Sequence, residues 1–409
     1  MSKKQIRKLK DSFLNALTYL SSSIAILVLV GIFAFVFIRG FSTLSVDMLT
    51  SDYWSVNYKL ALENSEAGSY ERPESLSEDI IYSEKFGIGL SDFTNRTKKK
   101  QVIISYIHPD SPFSSAYSTT SGETLNQPMT IELDTVLQNI TLIQEDESTI
   151  IVGTQRNQDA TTVVSAFENS TAVSSMFIQT QGGGIYGSII ATLQLIVVSL
   201  LISLPIGIGA AIYLHEYAKD TLITRLMRSS IEMLSGIPSI IFGLMGVAIL
   251  FPITSLIGAN STSVLLGAMT LSVMLLPVII RQTEESLIVV PDGIRMASLS
   301  LGATKSQTIF KVILPSALPG ILSAILLAIS RVIGESAALI YTMGTTIVDD
   351  PKILEGATSL AVQIWQIMSG EQPNFELASA ISIVILVIVL TLNLTVKLIS
   401  NRLNRKWST

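Results

Sequence analysis

Residues 184–220 read GIYGSIIATLQLIVVSLLISLPIGIGAAIYLHEYAKD, with no charged residue between Ile185 and Leu214. A helix needs about 20 apolar residues to cross a bilayer core, so the run predicts a membrane span over 185–214. The same yardstick, carried outward, gives about six spans: 20–39, 185–214, 230–252, 263–290, 317–343 and 376–400. Composition agrees. The chain has 409 residues, 48% hydrophobic and 14% charged, with mean hydropathy +0.53. An average soluble chain carries about 25% charged residues.

The N-terminal tail is basic (Lys3, Lys4, Arg7, Lys8, Lys10), and an apolar run follows over about 24–38. A secretory leader would show a small-residue cleavage site next. Here Arg39 and Phe41 close the run instead, so it reads as a retained span. Lys and Arg gather in cytoplasmic loops. The basic sets are the N-terminal tail, then Lys219, Arg225 and Arg228, then Arg295, Lys305 and Lys311, then Lys397, Arg402, Arg405 and Lys406. With six spans they all fall on one side. The acidic loop with Asp349, Asp350, Glu355 and Glu371 falls on the other. Both termini are therefore expected in the cytoplasm, with 45–184 outside.

Several chemistries are excluded by the residues themselves. There is no cysteine, hence no disulfide, thiolate metal site or cysteine nucleophile. The two histidines are His108 and His215. His215-Glu216 opens like HExxH, but Lys219 stands where the second His belongs. No metal site is expected. GATKS (302–306) lacks the GxxxxGK spacing that cradles phosphates, so any ATP must be hydrolysed by another chain, with no cofactor bound by this one.

The insertion at 45–184 is rich in Ser, Thr, Asn, Asp and Glu. QVIISYI (101–107) and STIIVGT (148–154) have strand composition, and TIELDTVLQNITLI (130–143) alternates over much of its length. The expected structure is a folded, β-rich domain. FGIGL (86–90) before a strand, then PDSPF (109–113), resembles a PDZ-type peptide-binding fold; an unrelated β-rich insertion is the other reading. GGG at 182–184 reads as a hinge back to the membrane.

The segment DGIRMASLSLGATKSQTIFKVILPSALPGI (292–321) joins spans four and five. It predicts a short amphipathic helix over about 296–301, a turn at Gly302, and a second short helix ended by Pro315. Such a pair can dock in a groove on a soluble partner; an ordinary helix-turn-helix between spans would look similar. The segment resembles the EAA loop of ABC importer permeases. Ala297 matches the second EAA position, and Gly302, Ala303, Phe310, Ile313, Leu314 and Pro315 match the rest. Met296 and Ser298 depart from it.

Four further stretches resemble the A-type permease subunit of bacterial phosphate ABC transporters: 184–220, LSGIPSIIFGLMG (234–246), LPVIIRQTEESLIVVP (276–291) and SRVIGESAALI (330–340). The resemblance covers the first span and nearly everything after Gly184, but not the insertion. Ala338 stands where that family usually has Pro. The resemblance implies an all-α membrane protein with a six-helix core of the small importer (MetI-like) type, here carrying a β-rich extracytoplasmic insertion. Composition and hydropathy divide the chain into three parts: a tail and first span (1–44), the insertion (45–184), and a permease core (185–409), whose coupling loop the resemblance places at 292–315. The resemblance also implies ATPase coupling through Ala297, Gly302, Ala303, Phe310, Leu314 and Pro315. The implied partners are a homologous second permease, two ATPase subunits that bind the ATP, and an extracytoplasmic phosphate-binding protein. Membrane lipid surrounds the spans, and no nucleic acid is expected.

Ionisable groups at bilayer depth mark functional sites. Arg331 and Glu335 are spaced i, i+4 within the predicted fifth span and can pair; they read as an anion relay or as a static ion pair joining spans. Arg offers a planar fork of donors suited to phosphate oxygens. Arg281, near the end of span four, is a second pathway candidate or an interfacial anchor. Pro238 is expected to break or offset the third span, and Ser239 beside it is a third candidate or a small packing residue. The expected activity is transport, not catalysis. Competing readings are a permease for another oxyanion, such as molybdate or sulfate, and a membrane sensor with an extracytoplasmic peptide-binding domain.

Overall fold

The run that begins at Ile185 forms a helix from Tyr186, and the elements on either side separate into two compact units: Met1–Val46 with Ile185–Thr409, and Asp47–Gly184. The computed structural model describes residues 3–407, apart from 64, 95–98, 120–124, 181 and 371–372. Glu371 of the predicted acidic loop lies outside the described residues. In chain order the helices are α1 (Lys3–Gly40), α2 (Val46–Thr50), α3 (Ala160–Glu168), α4 (Tyr186–Ile212), α5 (Leu222–Ser235), α6 (Ser239–Met245), α7 (Phe251–Ser255), α8 (Val264–Ile288), α9 (Asp292–Ser300), α10 (Lys305–Thr308), α11 (Leu314–Gly334), α12 (Ala337–Thr342), α13 (Leu360–Ser369) and α14 (Phe375–Trp407).

The 47–184 unit is a nine-stranded antiparallel sheet. Its strands are β1 (Asn57–Leu62), β2 (Ile81–Ser83), β3 (Ile88–Thr94), β4 (Lys100–Ile107), β5 (Ala116–Ser118), β6 (Pro128–Met129), β7 (Val136–Gln144), β8 (Thr149–Val152) and β9 (Ser170–Gln179). Their order is β2-β3-β4-β7-β9-β1-β5-β6, with β8 on β7. Of the expected strand at 130–143, only the part from Val136 is strand; Asp134 adopts φ 65 and turns the chain before it. Asp159 accepts the Thr162 N–H at 2.9 Å and caps α3. Ala160, Val163, Val164 and Phe167 then fall on one buried face. Phe86 and Phe113 pack on Phe167 at ring separations of 5.4 and 6.0 Å.

FGIGL opens β3 as expected, but the edge of β3 is already paired. Ile81 lies opposite Leu90 and Ser83 opposite Ile88. The Ser83 hydroxyl donates to Glu168 at the end of α3 at 2.6 Å. A peptide that adds a strand needs an open edge, and here β2 occupies that of β3. The 182–184 glycines are pinned rather than free: Gly183 and Gly184 N–H groups donate to Tyr53 and Asp52 carbonyls at 2.8 and 3.0 Å.

Among the described residues five helices are long and apolar enough to cross a membrane: Lys10–Gly40, Tyr186–Tyr217, Val264–Ile288, Lys305–Gly334 and Phe375–Ser400. A sixth span results if α5 and the Ser239–Ser255 segment count as one, bent by 105°. The break expected at Pro238 in the 230–252 span is present as that bend. Pro238 lacks an N–H and takes extended geometry (φ −59, ψ 139), and a proline also drives the residue before it out of helical geometry. Arg225 and Arg228, expected in a loop, lie on α5. The α8 helix is the most buried span. Leu271, Leu275 and Ile279 of α8 share one core with Ala191 and Leu195 of α4 and Ala328 and Val332 of α11. The Ser272 hydroxyl donates to the Ser199 carbonyl at 3.1 Å, tying α8 to α4. Arg39 pairs with Glu376 at 3.3 Å and joins α1 to α14.

Two further expectations are corrected. Pro315 does not end a helix: α10 runs through a wider π-turn (Ile309–Ile313) into α11, with Pro315 in the first turn of α11. The extra residue of such a turn lets the hydrogen-bond ladder pass a residue that cannot donate. The expected fifth span to 343 stops at Gly334. Glu335 is extended (φ −78, ψ 129) and its carboxylate accepts the Ala338 N–H at 3.2 Å, capping the start of α12.

Candidate functional site

The 292–315 segment folds as α9, a turn, and α10. Gly302 sits in that turn at φ +88, a conformation open to glycine and strained for most side chains. Thr304 and Gln307 then form a reciprocal capping box that starts α10. Ala297 and Phe310 are exposed and Ala303 is half-buried, whereas Leu314 and Pro315 are half-buried at the start of α11. Met296, Leu299, Leu301 and Phe310 are all exposed apolar side chains. The predicted coupling residues therefore divide: the α9 side presents an apolar surface, and Leu314 and Pro315 anchor it to the helix that crosses the membrane.

That segment is held from behind by the end of α4. After Ile212 the helix widens into a π-turn, Tyr213–Tyr217. The Glu216 side chain is 2% exposed and pairs with Arg295 of α9 at 2.9 Å. Lys305 of α10 donates to the Glu216 carbonyl and lies over the Tyr217 ring at 4.9 Å. The Tyr217 hydroxyl meets Ser306 at 3.2 Å. The second Glu216 oxygen has no hydrogen-bond partner among the described residues; His215 Nε2 stands 3.8 Å from it. Stripping one partner from a buried pair costs about 3–5 kcal/mol. Sequence reading placed Arg295 and Lys305 in a basic loop and passed over Glu216 beyond its failed HExxH. The available signal was an acid directly at the end of an uncharged 30-residue run from Ile185 to Leu214.

Arg281 lies on α8 beside α5, where it pairs with Glu232 at 3.1 Å; Arg228 pairs with Glu284 at 2.8 Å. With His215 and Glu285 these four line a cleft of about 270 Å³. Three carboxylates against two guanidiniums make it a poor resting place for an anion. Arg331 differs. It is half-buried in the last turn of α11, and its side chain makes no ion pair or hydrogen bond among the described residues. The i, i+4 spacing to Glu335 does not become a helical pair, because α11 ends between them. Ser239 is half-buried at the first position of α6, where the chain restarts after Pro238. Among the described residues no hydrogen bond or ion pair joins Arg331, Arg281 and Ser239; Arg281 is engaged by Glu232 instead.

Residues 203–409 match the model of the binding-protein-dependent transport system inner membrane component family. The chain belongs to that family. It is thus a membrane transport subunit, a permease of the ABC type. The permease is 34% identical over 240 residues to the probable ABC transporter permease protein YqgI of Bacillus subtilis, covering 55% of this chain and 80% of the relative. It is 32% identical over 219 residues to the phosphate transport system permease protein PstA 1 of Mycobacterium tuberculosis H37Rv, covering 53% and 70%. A solved inward-facing structure of the MetNI methionine ABC transporter aligns with a TM-score of 0.44 at 22% identity, over 54% of the permease and 97% of that chain.

Proposed function

We propose that this permease is a transmembrane subunit of an ATP-driven phosphate importer. The observation that carries the cargo is its likeness to permeases named for phosphate transport, at 32% identity in Mycobacterium tuberculosis and 33% in Pasteurella multocida. Arg331 supports it chemically, as a half-buried cation with no carboxylate on it, on a helix long enough to cross the membrane. An arginine fork suits tetrahedral oxyanions, and a pathway must bind its cargo weakly enough to let it leave. A second permease, two ATPase subunits carrying the ATP, and an external phosphate-binding protein complete the machine. The apolar α9 surface docks on an ATPase, and α10–α11 carries its movement into the membrane. The basic tail and loops put both termini and 292–315 in the cytoplasm and 47–184 outside.

The test is uptake of labelled phosphate by vesicles holding the purified complex and its binding protein, with unlabelled sulfate and molybdate as competitors. ATP-dependent phosphate uptake that neither competitor displaces is the expected result. Uptake of sulfate or molybdate in its place moves the cargo to another oxyanion. The peptide-sensor reading is disfavoured by β2 on the β3 edge.

A further inference from the structure

We infer that Glu216 is a positioning residue: its buried pair with Arg295 makes the end of α4 and the 292–306 segment move as one body. The inference rests on the reading of that segment as the ATPase-coupling loop. Three independent contacts converge on the Tyr213–Tyr217 π-turn. Arg295 of α9 reaches the Glu216 carboxylate at 2.9 Å, Lys305 of α10 reaches its carbonyl, and Ser306 reaches Tyr217. They come from both sides of the Gly302 turn, so α9 and α10 are gripped at one place. A Glu216 side chain only 2% exposed is poorly screened by solvent and salt. The π-turn is what such a grip requires: an inserted residue in the ladder re-aims side chains at the helix end.

The consequence is a second route for force. Through Pro315 the loop acts on α11 along the chain. Through Glu216 it acts on α4, which is 79 residues from Arg295 in sequence. Since α4 and α11 both pack on α8 in one core, gripping both lets a loop shift turn the helices around α8 together. Without the Glu216 pair, ATP hydrolysis would still move the loop and α11, but α4 would lag.

The chain has no cysteine, so it can be labelled at two introduced cysteines before assembly with its partners. Spin labels on Ser300→Cys and Leu201→Cys, both exposed, report the loop-to-α4 distance in the purified complex, with and without ATP. Phosphate uptake per ATP hydrolysed is measured on the unlabelled complex. The unsubstituted complex should give one narrow distance distribution in each state. Glu216→Gln keeps the side-chain volume; it should broaden the distribution and lower uptake per ATP about fivefold or more, with hydrolysis continuing. The swap Glu216→Arg with Arg295→Glu should narrow the distribution again and recover part of the coupling. A narrow distribution and full coupling in Glu216→Gln would overturn the inference, as would a swap no better than the single change. If Glu216→Gln fails to accumulate, the Glu216→Gln/Arg295→Gln variant strands no charge and is judged by the same two readouts. The underlying reading fails separately. Unimpaired transport in Gly302→Val removes the loop from coupling, and a complex that imports no phosphate removes the cargo while the distance readout still judges the grip.

Discussion

At the scale of single residues, Arg331 and Glu335 have separate tasks. Arg331 ends α11 without a partner among the described residues, and Glu335 caps α12 through Ala338. Arg331→Gln is expected to cut phosphate uptake about tenfold or more, the loss of roughly 1.4 kcal/mol or more of charge-assisted contact. Glu335→Gln keeps an acceptor oxygen for Ala338 and should be mild, whereas Glu335→Ala loses a bond worth about 1 kcal/mol. The double change Arg331→Gln/Glu335→Gln should not rescue uptake, since uncoupled sites add within about 0.5 kcal/mol. Uptake assays on the four variants decide it; recovery in the double variant would restore the ion-pair reading. The departure at Ala338 also has a local meaning. Its N–H is the donor to Glu335, and proline there would have none.

At the scale of elements, glycines act in two ways, by backbone angle and by close approach. Gly302 stands at φ +88 with nothing within 4 Å of a built Cβ, so its constraint is backbone conformation alone. Gly302→Val should cost about 1–2 kcal/mol locally and uncouple hydrolysis from transport. Gly302→Asn, which tolerates the left-handed region, should retain most coupling. Equal loss in both variants, measured as uptake per ATP, would mean that the missing side chain matters and not the backbone angle. Gly243 of α6 shows the opposite case. An added Cβ would lie 2.8 Å from the Ala338 carbonyl oxygen of α12. Gly243→Ala should destabilise the α6–α12 contact by about 1–3 kcal/mol, read as a lower melting temperature of the purified permease.

At the scale of the whole molecule, the 47–184 unit has a core of its own, with Leu60, Phe86, Ile104, Leu137, Ile140, Phe167 and Met176 buried in it. Residues 47–184 expressed alone should fold and melt cooperatively by circular dichroism; a chain without a melting transition would show that the core is not self-sufficient. Two exposed carboxylates add a small acid-side dependence. Asp146 and Asp159 are held below the ordinary 3.8, first by hydroxyl hydrogen bonds from Ser148 and Thr162 and then by backbone N–H groups of the same residues. Their contribution is complete above the unfolded value and is lost as pH falls through the lower folded one. Melting temperature should therefore fall below about pH 3.8, with a shallower slope in Asp146→Asn/Asp159→Asn. In intact spheroplasts, protease should cut within 47–184 and spare 292–315; the reverse pattern would invert the topology.

What the sequence determined by itself was whatever depends on local composition. Uncharged runs of membrane length placed five helices, because a bilayer core tolerates no unpaired backbone and few charges. Polar punctuation marked off the 45–184 insertion. The Gly302 turn was also legible, since glycine alone takes its angle at no cost. The tertiary structure decided what depends on partners distant in the chain. Pro315, expected to end a helix, was absorbed by a π-turn, and the 105° size of the break at Pro238 was not written in the position of that proline. The i, i+4 spacing of Arg331 and Glu335 gave no helical pair, because α11 ends at Gly334 and the Glu335 carboxylate caps Ala338 instead. Glu216 found Arg295 across 79 residues, and β2 closed the edge of β3. Pairings of that kind are fixed by which helix ends and strand edges the packed core brings together, and spacing along the chain does not carry that information.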